Sequence, residues 1–186
     1  MMRLIIIIMI LGIVWTGSAC QSVDLSVGYY ASPLHEGEEI TFLHAVEIPS
    51  GYARAYLQGG RVMGYAAVDQ YAPFCYILMR QPLPVAQTVH PGVFVIDKVY
   101  LLETDVGREL PTRIAARGVL AHDDGYGPIA FQTHMKFLRG EQPDVDSLVC
   151  SGAFAIPGEA RPIRRVELQQ VLGDIASVRA PVPADR

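Results

Sequence analysis

The densest cluster of metal-binding residue types in the chain is His122-Asp123-Asp124, followed by Gly125-Tyr126-Gly127. One imidazole and two carboxylates in a single loop are ligands that a divalent cation accepts. Calcium, however, takes about six to eight oxygens from a loop of defined spacing, and this run lacks that pattern. An Asp-Gly turn beside a solvated histidine accounts for the same residues. His122, Asp123 and Asp124 are therefore weak candidates, and we predict no metal site and no cofactor.

The other histidines do not form a catalytic pattern with a nucleophile. His44 alternates with apolar residues, His90 precedes a proline, and His134 lies on the polar side of a strand pattern. Ser151 follows Cys150 without the Gly-x-Ser-x-Gly turn of a hydrolase. A Ser-His-Asp set assembled from distant loops stays open, because such triads are defined by geometry and not by order. The sequence therefore favours a non-enzymatic protein, with an envelope hydrolase as an alternative.

Two cysteines, Cys75 and Cys150, lie within the part of the chain that has globular composition. In an oxidising compartment an even number of cysteines favours a disulfide, although two separate buried thiols would also fit. Because a Cys-x-x-Cys motif is absent, we do not expect a catalytic thiol pair. In the chain-entropy model, a bridge closing a loop of this size stabilises a fold by about 4 kcal/mol.

The clearest local signal is Gly59-Gly60 between two alternating runs, 53–58 and 61–65. Two glycines supply the positive φ angles of a tight hairpin turn, which would place Gln58 opposite Arg61. One face of this hairpin is then small and apolar. The other face is long and amphipathic, and we predict it as a candidate interaction face because tyrosine and arginine are enriched in interface hot spots. That face comprises Arg54, Tyr56, Arg61, Met63 and Tyr65.

Alternation with a period of two recurs along most of the chain and predicts further strands at 39–48, 74–80, 93–103, 129–138 and 147–154. In the run 93–103, Phe94, Ile96, Lys98, Tyr100 and Leu102 would share one face. Many short strands with turn signals are typical of a sandwich or a barrel. We therefore predict a mainly β fold, a sandwich or barrel-like antiparallel domain with one C-terminal helix.

The pattern changes near the C-terminus, where Leu168, Val171, Leu172 and Ile175 have helical spacing. Pro162 suits the first turn of a helix, so we predict a helix over about 162–176. The expected organisation is a single β-rich domain at 38–180, followed by a disordered tail at 181–186.

The first 19 residues have the layout of an export signal. Arg3 precedes an apolar run of 12 residues, Leu4 to Trp15, and small residues follow. As a helix this run would rise only about 18 Å. Because a bilayer needs about 20 residues, a permanent transmembrane helix is the weaker interpretation.

The segment Gly17-Ser18-Ala19-Cys20 resembles the lipobox of bacterial lipoproteins, whose cysteine carries diacylglycerol and becomes the new N-terminus. This resemblance implies that 1–19 is a lipoprotein signal peptide, that Cys20 is lipidated, and that 20–37 contains the lipidated cysteine and a tether. In well-studied Gram-negative bacteria an Asp after the cysteine retains a lipoprotein in the inner membrane. Gln21 therefore implies the outer membrane, with the domain facing the periplasm. An ordinary cleaved signal with a free Cys20 is the alternative.

Charge argues against nucleic-acid binding. The 15 basic residues of the chain become 14 without Arg3, against 19 acidic residues, and no basic stripe is present. We expect a membrane-anchored periplasmic lipoprotein that binds an envelope protein or component through a non-enzymatic interaction module. The first alternative is a protein that binds a small molecule, lipid or cell-wall fragment in a cavity of the β domain.

Overall fold

The alternating segments form an antiparallel sheet in the computed structural model, which describes residues 32–105 and 127–179. The strands are β1 Glu39–Phe42, β2 Val46–Ile48, β3 Arg54–Gln58, β4 Arg61–Met63, β5 Phe74–Met79, β6 Gln87–Val89, β7 Gly92–Asp105, β8 Ile129–Phe137, β9 Val145–Ser151 and β10 Ala176–Arg179. Eight of them form one curled sheet, a half-barrel, in the order β10-β1-β7-β8-β9-β5-β3-β4. Strands β2 and β6 pair separately. The prediction of a mainly β, barrel-like antiparallel fold with one helix near the C-terminus is confirmed.

The core lies against one face of the sheet, which we call the inner face. It carries Leu57 of β3, Ile77 of β5 and Leu148 of β9, all fully buried. The helix α1, Arg165–Leu172, packs its apolar stripe of Leu168, Val171 and Leu172 into the same cluster. Aliphatic side chains from the sheet and the helix thus fill the inside of the half-barrel.

The β3–β4 hairpin forms as the glycine pair predicts. Gly59 and Gly60 have φ angles of 57° and 71°, as a two-residue primed turn requires. Gln58 lies opposite Arg61, and Tyr56 lies opposite Met63. Leu57 therefore points to the inner face and Tyr56 to the opposite side, which we call the outer face.

The prediction that alternate residues from Phe94 to Leu102 share one face of β7 is wrong beyond Ile96. A register shift between Ile96 and Lys98 inserts one extra residue, which reverses the alternation. Phe94 and Ile96 are buried in the core, whereas Tyr100 and Leu102 are exposed on the other side. The segment predicted as one strand at 39–48 is likewise interrupted, and β1 and β2 belong to different sheets.

The predicted disulfide is present. Cys75 and Cys150 lie directly opposite each other on β5 and β9, with a Cα–Cα distance of 4.0 Å. Both residues are fully buried within the core. The bridge thus joins two adjacent strands at the centre of the sheet.

The C-terminal helix is shorter than the predicted 162–176 because Gly173 ends it with a φ of 53°. The chain then returns as β10 beside β1, a strand that the sequence pattern did not reveal. The helix end lies on the hairpin turn, where the Gly60 N–H donates to the Val171 carbonyl over 3.0 Å. A Cβ on Gly173 would lie 2.5 Å from the Gly60 Cα, so this approach requires glycine.

Ion pairs fix the start of the helix. The Glu167 carboxylate accepts hydrogen bonds from the guanidinium groups of Arg161 and Arg164, at 2.6 and 2.8 Å, and from the Arg164 backbone N–H. The Arg161 hydrogen bonds, followed by those of Arg164, hold the Glu167 pKa well below its usual range although burial opposes the shift. Arg165 pairs with the buried Glu38 ahead of β1 at 3.0 Å. In the described residues, no helix is both long enough and apolar enough to cross a membrane.

Candidate interaction site

The outer face of the hairpin is partly covered by the segment that follows β4. The chain leaves the sheet at Gly64 and forms a short 3₁₀ turn, Tyr65–Ala67. The Gln58 side chain holds this segment, because its amide donates to the Asp69 carbonyl at 2.8 Å and its oxygen accepts from the Asp69 N–H at 3.0 Å. Gln70 also donates to the Tyr65 hydroxyl at 2.6 Å. The covering segment is therefore fixed at several points.

Beneath this segment lies a second apolar cluster, separate from the main core. It contains Tyr56, Phe74, Tyr76 and Val149, all buried. The Tyr56 ring centroid is 5.5 Å from that of Tyr76 and 5.3 Å from that of Tyr65, distances typical of favourable aromatic pairs. Rings on neighbouring strands thus form a continuous aromatic layer on the outer face.

A groove opens where β4 stops while β3 continues. Its volume is about 950 Å³, and its lining includes four of the five residues of the predicted interaction face, Arg54, Tyr56, Met63 and Tyr65. Arg54 lies over the Tyr76 ring with its guanidinium carbon 4.7 Å from the centroid, a cation–π geometry. We call this feature the hairpin groove.

The predicted face residues differ in their accessibility. Tyr56 is only 8% exposed, so it acts as the floor of the groove and belongs to the outer cluster. Met63 and Tyr65 are half-buried walls, and Arg54 is exposed. Arg61 is exposed and lies outside the lining of the groove.

The sequence pattern did not reveal the opposite wall of the groove. Glu47 of β2 and Tyr52 of the following loop line it, and Tyr52 is 65% exposed. Neither residue belongs to a motif. The packing of β2 beside β3 brings Glu47 to the hairpin, and Tyr52 lies two residues before Arg54 on the chain. Glu47 and Arg54 are the charged side chains of the lining, so the groove has little net charge.

Within residues 32–105 and 127–179, no group of three or more His, Cys, Asp or Glu side chains is arranged to hold a metal ion. His44 and His90 are exposed, and His134 stacks on Tyr100 with a centroid distance of 4.8 Å.

Several predicted features fall outside the described residues. They are the weak metal candidates His122, Asp123 and Asp124, the lipidation site Cys20, the signal at 1–19, most of the tether at 20–37 and the tail at 181–186.

No family model, no curated protein and no solved structure matches the chain.

Proposed function

We propose that the protein is a lipid-anchored interaction module of the bacterial cell envelope, and that the hairpin groove binds a segment of a protein partner. The N-terminal pattern ending at Cys20 supports the anchor. The buried Cys75–Cys150 bridge supports an oxidising compartment such as the periplasm. The outer membrane, implied by Gln21, is part of the same proposal.

The observation that carries the proposal is the composition of the hairpin groove. It combines a buried aromatic floor at Tyr56 with accessible walls at Tyr65, Met63 and Tyr52 and a cation at Arg54. Interface hot spots combine aromatic anchors and arginine in this way, in pockets that exclude water. Tyrosine buries a large area at a low cost in conformational entropy because its side chain has few rotatable bonds.

In-cell crosslinking of the full chain tests the partner. A photo-reactive residue replaces Tyr65 or Tyr52 on the walls, and the matched control replaces Tyr71, which is 69% exposed and does not line the groove. We expect one dominant protein adduct from both wall positions and none from position 71. Equal adducts from all three positions, or none from the walls at normal abundance, would contradict the groove as a binding site.

Intact-mass measurement of the membrane fraction tests the anchor separately. We expect the mature protein to begin at Cys20 and to carry acyl chains, whose roughly 0.8 kcal/mol per buried CH₂ holds such a protein at a membrane. Cys20→Ala should release the domain from membranes after signal cleavage. An unmodified Cys20, or unchanged membrane attachment of the variant, would disprove the lipid anchor.

A small molecule, lipid or cell-wall fragment is the second candidate occupant of the hairpin groove. Its volume of about 950 Å³ lies within the range of ligand pockets, about 300–1,000 Å³. Native mass spectrometry of the purified protein distinguishes the two, since a retained ligand that Tyr65→Ala removes would favour this candidate over a protein segment.

A further inference from the structure

Strand β10 forms one edge of the eight-stranded sheet, and the helix lies beside it. Among the described residues, β10 pairs with β1 on one side and has no strand on the other. In an antiparallel ladder, the backbone groups of successive residues point alternately to the two sides of a strand. The alternation along β10 therefore decides which backbone groups its open side offers to a partner.

Two hydrogen bonds fix this alternation. The Leu43 N–H, directly after β1, donates to the Ile175 carbonyl at 2.8 Å, so the odd-numbered residues point to β1. On the other side, the Gln169 amide of the helix donates to the Ala176 carbonyl at 3.2 Å. Val178 has the same parity as Ala176, so its N–H and carbonyl point to the open side. Neither group has a hydrogen-bond partner within the part of the chain that the structure describes.

A groove of about 470 Å³ runs between the helix and this strand. Val178 lines it from the sheet, and Val166, which is 70% exposed, lines it from the helix. Arg165, Gln169 and Gln170 complete its described lining. We call Val178 and this groove the β10 edge. An open strand offers main-chain hydrogen bonds to an extended segment of another chain, and a neighbouring pocket receives its alternate side chains.

The charges beside the β10 edge are compensated within the chain. Arg165 pairs with Glu38 at 3.0 Å, and Arg179 lies opposite Glu39 in the register of β10 with β1. Like charges placed face to face oppose association, and a two-fold interface brings the same patch of both subunits together. A patch whose charges are already compensated therefore suits a second copy of the same chain.

We propose that the β10 edge binds the β10 edge of a second copy, in an antiparallel pair centred on Val178. Each Val178 N–H would donate to the carbonyl of the partner's Val178, so one two-fold operation satisfies both open groups of each copy. In this register Ser177 lies opposite the partner's Arg179, so no like charges are directly opposed. The Val178 side chains would lie next to each other at the groove.

This inference goes beyond the lipid anchor and the hairpin groove, because no residue of either site belongs to the β10 edge. Strand β10 has four residues, so we expect a weak and reversible dimer, as is typical of interfaces below about 1,200 Å². Strands β3 and β4 lie at the opposite end of the sheet order. Both hairpin grooves would therefore stay open in the dimer, which could bind two partner segments at once.

Cysteine crosslinking of the full chain tests the register. Val178→Cys places a thiol at the two-fold axis, and Val62→Cys places a matched thiol on β4 at the other edge of the sheet. Under a mild oxidant, we expect a disulfide-linked dimer from position 178, because directly opposite residues of an antiparallel pair lie within disulfide range. Position 62 should give no more dimer than the unsubstituted chain, which measures any contribution of Cys20.

A charge on the groove tests the surface around the axis. Val166→Glu, added to Val178→Cys, should lower the yield of dimer several-fold, because it brings two carboxylates to the interface. An acidic residue in the first turn of a helix suits the single copy, so folding should be unaffected. Tyr71→Glu adds the same charge at a residue that is 69% exposed and lies outside this groove, and it should leave the yield unchanged.

The outcomes that contradict the proposal are distinct. No dimer from position 178, or equal dimer from 62 and 178, would overturn it, and so would equal losses from Val166→Glu and Tyr71→Glu. A photo-reactive residue at position 178 that captures a different polypeptide would also overturn it and assign the β10 edge to that partner. The crosslinks at Tyr65 and Tyr52 test the hairpin groove separately, because neither residue lines the β10 edge.

Discussion

The two faces of the sheet are built from the same strands but from different kinds of side chain. The inner face presents Leu57, Ile77 and Leu148, which are fully enclosed between the sheet and the helix. The outer face presents buried aromatic rings around Tyr56, and in the residues that the structure describes the half-buried Met63 and Tyr65 pack against them. Dense aliphatic packing supplies stability on the inner face, whereas the half-buried side chains beside the aromatic cluster leave area for binding. The β3–β4 hairpin contributes to both faces through alternate residues.

The largest expected effect comes from shortening Leu57, the buried side chain of the hairpin on the inner face. Leu57→Ala should lower the free energy of unfolding by about 2–5 kcal/mol, the range for a buried leucine that leaves a cavity. Tyr65→Ala, at a half-buried residue of the turn that follows the hairpin, should cost much less and should remove the adduct formed from position 52. Urea denaturation measures the two losses of stability. If Tyr65→Ala lowers the free energy of unfolding as much as Leu57→Ala does, the outer face belongs to the core and is not a binding surface.

Removing the disulfide tests whether the stability of the inner face depends on a covalent link. Replacing Cys75 and Cys150 together with alanine should reduce the free energy of unfolding by about 2–4 kcal/mol, mainly because the unfolded chain gains entropy. Reduction of the native protein in denaturant should give a similar loss. A loss below about 1 kcal/mol would mean that the strand ladder between β5 and β9 suffices without the bridge.

A smaller effect is expected where the helix meets the hairpin. Gly173→Ala should destabilise by about 1–3 kcal/mol, because its backbone is in a strained region for other residues and the new Cβ would meet Gly60. Gly64→Ala is the matched control, since its φ of −80° suits any residue and no atom lies within 4 Å of the added Cβ. Equal thermal midpoints for the two variants would show that the helix can move away from the turn.

Local signals predicted the hairpin and its register because two adjacent glycines readily adopt the positive φ angles of a primed turn, which other residues disfavour. The disulfide followed from the number of cysteines and the compartment implied by the N-terminus. The reversal at β7 could not be predicted, since a bulge depends on pairing with β8, which local alternation does not encode. The hairpin groove was half predicted. Arg54 and Met63 lie on the hairpin and Tyr65 directly follows it, whereas Glu47 reaches the groove through the packing of β2 beside β3.

The smallest effect concerns the ion pairs that hold the helix over the inner face. The pKa of Glu167 lies below its ordinary value near 4.5 because Arg161 and Arg164 donate to its carboxylate. A carboxylate with a lowered pKa in the folded state stabilises the protein above about pH 4.5, and this contribution is lost as the pH falls. Glu167→Gln should therefore cost about 1 kcal/mol at neutral pH, after allowing for the partly exposed arginines.

This cost should shrink as the pH falls below about 4.5, because Glu167 of the unfolded chain then takes up a proton that the folded carboxylate, with its lowered pKa, does not, whereas glutamine does not titrate. Urea midpoints of both proteins at neutral pH and near pH 3 measure the change. Glu141→Gln, at an exposed acidic residue in the β8–β9 connection, controls for the loss of one negative charge. A Glu167→Gln cost that is the same at both pH values would mean that shape and not charge holds the helix start. The helix would then be held over the inner face by its apolar stripe alone.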